Sequence, residues 1–137
     1  MIGVVVATHC HVASALIEAA QVVLGEQDAL ASVDLDPGLG RDQAWGLLRD
    51  AVTLVDRGQG VLVLVDMLGG TPSNLALALL AEGNFEVVTG VNLPMVLRAL
   101  QRRGAEPLPA LVSDVLAYGR RNVSGAAELL RPAGGKA

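Results

Sequence analysis

Residues 61–74 read VLVLVDMLGGTPSN, and this stretch decides the fold. Val61–Val65 is an unbroken run of valine and leucine, the pattern of a strand buried on both faces. The run stops at Asp66. Gly69 and Gly70 form a loop, and a helix follows in which Thr71 is the expected N-cap and Pro72 the first residue. A buried strand, a glycine loop at its carboxyl end and a helix are the unit of a parallel α/β sheet. In such sheets ligands bind beyond the carboxyl ends of the strands.

The same alternation extends in both directions. Residues 2–7 are a β-branched run that ends at Thr8-His9. Val12–Leu24 reads as a helix, with Ser14, Glu18 and Gln21 as one narrow solvent stripe on an otherwise apolar cylinder and Gly25 closing it. Residues 29–35 form a second strand, ended by the turn Asp36-Pro37-Gly38. An amphipathic helix over 42–56 is broken by Gly58 and Gly60. The helix over 73–82 is so rich in Leu and Ala that it is expected to be covered on most sides. Phe85–Thr89 is a fourth strand, Gly90-Val91-Asn92 a second strand-end loop, and 93–103 a helix. After a proline-containing link over 104–109, Leu111-Val112 reads either as a short edge strand or as the start of a helix. A last helix over 113–130 carries the stripe Val112, Leu116, Val123, Ala127 and Leu130. The expected architecture is α/β, a three-layer sandwich with a mainly parallel sheet of about four strands, a possible antiparallel edge strand, and helices on both faces. Residues 1–131 form one domain, and 132–137 are expected to be a flexible tail.

Composition narrows the function classes. Hydrophobic residues make up 52% of the 137 residues and aromatic ones only 2%, so the core is built from Val, Leu and Ala. A net charge of −4 argues against nucleic acid and favours a basic protein partner or a neutral small molecule. Cys10 is the single cysteine; no internal disulfide can form, and the cytoplasm is the simplest location. The N-terminus lacks the basic region of a signal peptide. The apolar runs fall short of the ~20 residues that span a bilayer. No P-loop, no G-x-G-x-x-G after the first strand and no G-x-S-x-G elbow occurs, which argues against ATP-dependent kinases, dinucleotide enzymes and serine hydrolases.

Three polar, glycine-bearing segments converge at strand ends: 8–11, 66–74 and 90–94. If the first and third strands are neighbours, Asp66 can accept the Nδ1–H of His9, fixing the tautomer and leaving Nε2 outward. That makes an activated nucleophile without a metal. The other reading is a hydrogen-bonded core histidine beside a strand-end carboxylate, and spacing alone does not choose between them. The Gly69–Asn74 segment offers backbone N–H groups and two hydroxyls at a helix N-terminus, a setting that suits an anion and equally an ordinary helix cap. His9-Cys10-His11 raises a metal reading, but no second Cys or third His exists to complete a site, and Asp34, Asp36 or Asp66 would have to serve. No metal and no cofactor is expected. Cys10 is expected to pack as a small apolar residue.

These residues resemble the enzyme IIA of the mannose family of the phosphoenolpyruvate-dependent sugar phosphotransferase system. The matching pieces are residues 2–9 (IGVVVATH), 24–27 (LGEQ), 65–74 (VDMLGGTPSN) and 90–95 (GVNLPM), in order across about residues 1–125. The resemblance implies a phosphotransferase component in which His9 is phosphorylated at Nε2, receives its phosphoryl group from phospho-HPr and passes it to a IIB component. Asp66 matches the carboxylate that orients the histidine. Gly69, Gly70, Thr71, Ser73 and Asn92 would shape the phosphate pocket. It further implies a homodimer, in some members with an exchanged edge strand, for which the helix over 71–82 and the region 108–112 are available, and at most an indirect membrane association through transporter subunits.

Two departures stand out. Cys10 replaces a glycine common in the family, and the IIA region is not followed by a IIB domain, so the IIB partner is expected to be separate or missing. Two alternatives accompany the transport role: a regulatory IIA-like protein whose phosphorylation state signals to a partner, and the phosphoryl donor of a dihydroxyacetone kinase.

Overall fold

The computed structural model describes residues 1–132; of the expected tail, 133–137 lie outside the described residues. Elements alternate as β1 (Gly3–His9), α1 (Val12–Leu24), β2 (Leu30–Leu35), α2 (Arg41–Val55), β3 (Val61–Val65), α3 (Thr71–Leu79), β4 (Phe85–Thr89), α4 (Leu93–Arg102), α5 (Leu108–Arg121) and the short α6 (Ala126–Leu129). The four strands are all parallel, in the order β2-β1-β3-β4. This is the three-layer α/β sandwich expected from the strand and helix pattern.

Strand alternation builds two cores. Val5 and Ala7 of β1, with Val61, Val63 and Val65 of β3, face α2 and α3 and pack on Leu48, Val52, Val55, Leu75 and Leu79. Val4 and Val6, with Leu62 and Leu64, face α1, α4 and α5 and pack on Ala13, Ala20, Val96, Ala99, Leu111 and Val115. Every residue of β3 is buried, which is why it reads as a continuous apolar run and not as an alternating one.

The chain reverses its winding direction at β1. After β1 it goes outward to β2, then crosses back over to β3 on the opposite side of β1. The crevice between the carboxyl ends of β1 and β3 is therefore the topological switch point, where open α/β sheets place their ligands. Ala7 and Val65 are register partners, so His9 and Asp66 emerge side by side at that crevice.

Several expectations are corrected. Leu111 and Val112 lie inside α5, and no fifth strand joins the sheet among the described residues. Pro109 sits in the first turn of α5, where its lack of an N–H is harmless, so the helix opens five residues before 113. It ends at Arg121, capped by Asn122, and does not run to 130. Val123 and Leu130, assigned to its buried stripe, are exposed, because the chain has left the helix that would have turned them inward. Leu108 and Leu111 are buried within this chain's own core and are not available to a partner. Leu77 and Ala78 of α3, and Leu80 just past its end, are exposed, because α3 is short and packs mainly on α2 and the sheet. On α1, Val22 and Val23 join Glu18 in solvent. Only Ala13 and Ala20, seven residues apart, are buried there, so the buried face is the narrow one.

Candidate active site

Thr8 and Ser73 set up the backbone of the site. Thr8 is fully buried; its Oγ1 accepts the Ala13 N–H at 2.7 Å and donates to the His9 carbonyl at 3.1 Å. It thereby caps α1 from within β1 and holds the intervening turn. Cys10, in that turn, has φ +48° and is exposed, not packed as a small apolar residue: the strand has ended, and the left-handed backbone turns the side chain outward. Thr71 is the first residue of α3 and does not cap it; Gly70 holds the N-cap position. Ser73 is fully buried. Its hydroxyl accepts the Gly69 N–H at 2.9 Å and donates to the Gly70 carbonyl at 3.0 Å, tying the glycine loop to the helix it precedes.

The central pair is His9 and Asp66. Asp66 Oδ2 accepts the His9 ring Nδ1–H at 2.8 Å and the His9 backbone N–H at 3.1 Å. Its other oxygen, Oδ1, accepts the Met67 N–H at 3.0 Å. Burial pushes the Asp66 carboxyl up, but the ring and backbone hydrogen bonds from His9 and the attraction between the two groups outweigh it and hold it below the ordinary carboxylate value. With Nδ1–H engaged, the His9 lone pair lies on Nε2, on a side chain that is 45% exposed. The ring can act as a nucleophile from that nitrogen, and the carboxylate can stabilise the positive charge that attack creates on the ring.

Gly70 lies against the ring. A Cβ added to Gly70 would fall 2.5 Å from His9 Cε1 and 2.8 Å from Nε2. Its φ of −95° is open to any residue, so the glycine is required by the imidazole and not by the backbone. Gly69, at φ +94°, is in the region that favours glycine on its own account. The N–H groups of Gly70, Thr71 and Ser73 find no acceptor among the described residues, so free donors stand at the α3 N-terminus, whose Gly70 lies against the His9 ring. An anion fits there. A cavity of about 250 Å³ opens in front of them, lined by His9, Cys10, Leu35, Asp36, Pro37, Leu39, Ala44, Thr71 and Pro72.

Of the residues singled out from sequence, His9, Asp66, Gly70 and Thr71 come together. Gly69 and Ser73 stand behind them as support. Asn92 does not join the cavity. Its Oδ1 accepts the Met95 N–H at 2.9 Å as the cap of α4, and its Nδ2 donates to the Gly119 carbonyl at 3.3 Å. It lines a separate cavity of about 210 Å³ with Thr89, Gly90 and Arg120. A cavity of about 470 Å³ lies at the other edge of the sheet, by Ile2, Gln59 and Asn84, which precede their strands. Among the described residues no group of three His, Cys, Asp or Glu side chains gathers in a metal-binding arrangement. Sequence reading missed the Thr8 cap, because an i to i+5 bond across a strand end has no local signature. It also missed the apolar wall from Leu35 to Ala44, which tertiary packing brings to His9.

Comparison with known proteins places the chain in a class. The family model for the PTS system fructose IIA component matches residues 3–116. The PTS system fructose-specific EIIA component of Bacillus subtilis is 31% identical over 123 residues, covering 89% of this chain and 84% of that protein. The PTS system mannose-specific EIIAB component of Escherichia coli K12 is 33% identical over 124 residues, covering 89% of this chain. The chain spans only about 38% of the length of that two-part relative. In fold, the chain is similar to the crystal structure of phosphotransferase system component EIIA from Streptococcus agalactiae, with a TM-score of 0.86, 24% identity and coverage of 93% of this chain and 99% of the other. The chain belongs to the mannose-type IIA family of phosphotransferase system components. No helix among the described residues is long and apolar enough to cross a membrane.

Proposed function

We propose that this protein is a phosphoryl carrier in which His9 Nε2 takes a phosphoryl group from phospho-HPr and gives it to a IIB component for sugar uptake. The observation that carries this reading is the 2.8 Å bond between His9 Nδ1 and Asp66 Oδ2, with the α3 N-terminus brought against the ring at Gly70. In the forward step the Nε2 lone pair attacks the phosphorus and a new N–P bond forms. The N–P bond to the donor histidine breaks, its electron pair returns to the donor imidazole, and that ring takes up a proton. The charge that develops on His9 is met by Asp66, and the phosphoryl oxygens are met by the amides at the α3 N-terminus. Ser73 and Gly69 hold that loop in place. The second step runs the same chemistry toward the IIB histidine. Besides HPr and IIB, this reading includes a second copy of the chain as partner, for which the exposed Leu77 of α3 and Leu80 just past its end are the apolar surface to cover, and a cytoplasmic location.

The test is phosphorylation with purified enzyme I, HPr and phosphoenolpyruvate. One acid-labile phosphate per chain is expected, lost in His9→Ala and kept in His11→Ala. Labelling lost in His11→Ala and kept in His9→Ala would refute the assignment.

A further inference from the structure

The end of β1 carries a second histidine–carboxylate pair. His11 Nδ1 lies 3.3 Å from Asp34 Oδ2. Asp34, on β2, is locked in place: Oδ1 accepts the Ser14 N–H at 3.1 Å and Oδ2 the Ser14 hydroxyl at 2.6 Å. Burial pushes the Asp34 carboxyl up, but the Ser14 and His11 interactions outweigh it and keep it below the ordinary value, so it is a carboxylate at neutral pH. Asp34 is the register partner of Thr8. His9 belongs to the opposite face of β1 by strand alternation. One imidazole therefore leans to β3 and the other to β2, and His11 does not line the His9 cavity.

Helix capping does not explain the His11 ring. The ring makes no cap bond to α1; the first-turn N–H groups of Ala13 and Ser14 go to Thr8 and Asp34. The side chain is 77% exposed, and its one polar contact is through Nδ1 to Asp34. In the neutral ring, Nδ1–H given to Asp34 leaves the lone pair on Nε2, turned away from Asp34. No Arg or Lys among the described residues lies within salt-bridge distance of Asp34. Asp36 and Asp66 stand at the same edge of the sheet, on a chain of net charge −4.

Size makes this pair part of any docking event. A protein that delivers a phosphoryl group to His9 covers on the order of 800 Å² of this surface, a disc of roughly 16 Å radius. The His11 Cα is at most about 7 Å along the chain from that of His9, well inside it. We propose that His11 and Asp34 form a recognition element that accepts an arginine or lysine side chain of the phosphorylated protein partner, setting affinity and leaving the chemical step to His9. This rests on the phosphoryl-carrier reading and deepens it by giving the partner's footprint a sign.

The experiment compares wild type, His11→Gln and His11→Arg with two donors, phospho-HPr and the small molecule phosphoramidate. With phospho-HPr, His11→Arg should raise KM about tenfold with kcat within about twofold, and should flatten the dependence of KM on salt. His11→Gln, which keeps an outward acceptor, should stay near wild type. Phosphoramidate should label all three at equal rates. A KM for His11→Arg within twofold of wild type, or a fall in kcat at unchanged KM, overturns the proposal. Absence of label on wild type from either donor overturns the phosphoryl-carrier reading, and this inference with it.

Discussion

Asp66 Oδ2 takes two hydrogen bonds from one residue, the backbone N–H of His9 at 3.1 Å and its ring Nδ1–H at 2.8 Å. A single oxygen thus indexes the ring to the backbone of its own residue, and the direction of Nε2 follows from the meeting of two adjacent strand ends. Asp66→Asn leaves an amide oxygen able to accept but removes the charge that meets the imidazolium. The rate of phosphoryl transfer should fall about 10–100-fold, with the thermal midpoint little changed, as rapid-quench labelling and calorimetry would show. An unchanged rate would separate Asp66 from the chemistry.

Gly70→Ala tests the contact with the ring. The backbone at φ −95° accepts alanine, so the stability cost should be about 1–3 kcal/mol of overpacking at most. Labelling of His9 should nevertheless drop sharply, because the methyl group occupies the space of Cε1 and Nε2. Imidazole NMR signals would report the displaced ring. Full labelling in this variant would show that Nε2 does not face the glycine loop.

Thr8→Val removes a hydroxyl that is wholly buried and leaves the Ala13 N–H without its acceptor. The expected loss is about 1–2 kcal/mol, read from urea unfolding, while Thr8→Ser should recover most of it. A neutral Thr8→Val would mean that α1 is capped in another way.

Acid should unfold the protein through its strand-end carboxylates. The pKa values of Asp34 and Asp66 are both held below their ordinary value of 3.8: burial raises each, but hydrogen bonds and neighbouring charge lower it further. A depressed native pKa contributes stability that is present above the unfolded value and is lost as pH falls through the native one. Unfolding free energy should therefore be flat with respect to these groups above about pH 5 and decline below about pH 4. Asp66→Asn should make that decline shallower.

Much of this was legible in the chain. β3 was readable to the residue because a buried parallel strand is an uninterrupted apolar run bounded by polar turns; β4 keeps its expected bounds although Glu86 interrupts its apolar run. α1 was readable because Gly25, at φ +83°, ends it in a conformation that favours glycine. The far end was not: the stripe from Val112 to Leu130 kept helical spacing past Arg121, where the chain turns away, and periodicity carries no information on whether a neighbour exists to bury the stripe. His9 and Asp66 could each be placed at a strand end, but β1 and β3 are separated in sequence by β2, and only the strand order makes them adjacent. Ser73 and Asn92 were expected at the phosphate pocket from the family resemblance; here the Ser73 hydroxyl and the Asn92 amide are bonded to main-chain groups.

The sequence by itself determined the four strands, the major helices, the glycine loop and which residues carry reactive groups, because those depend on local patterns of apolar side chains, glycine and proline. The tertiary structure alone decided that His9 meets Asp66, that Gly70 presses on the imidazole, and that His11 points to Asp34 on the other side of β1. Those contacts depend on the order of strands in the sheet and on the register between them, which hydrogen bonds between distant segments set and no local pattern records.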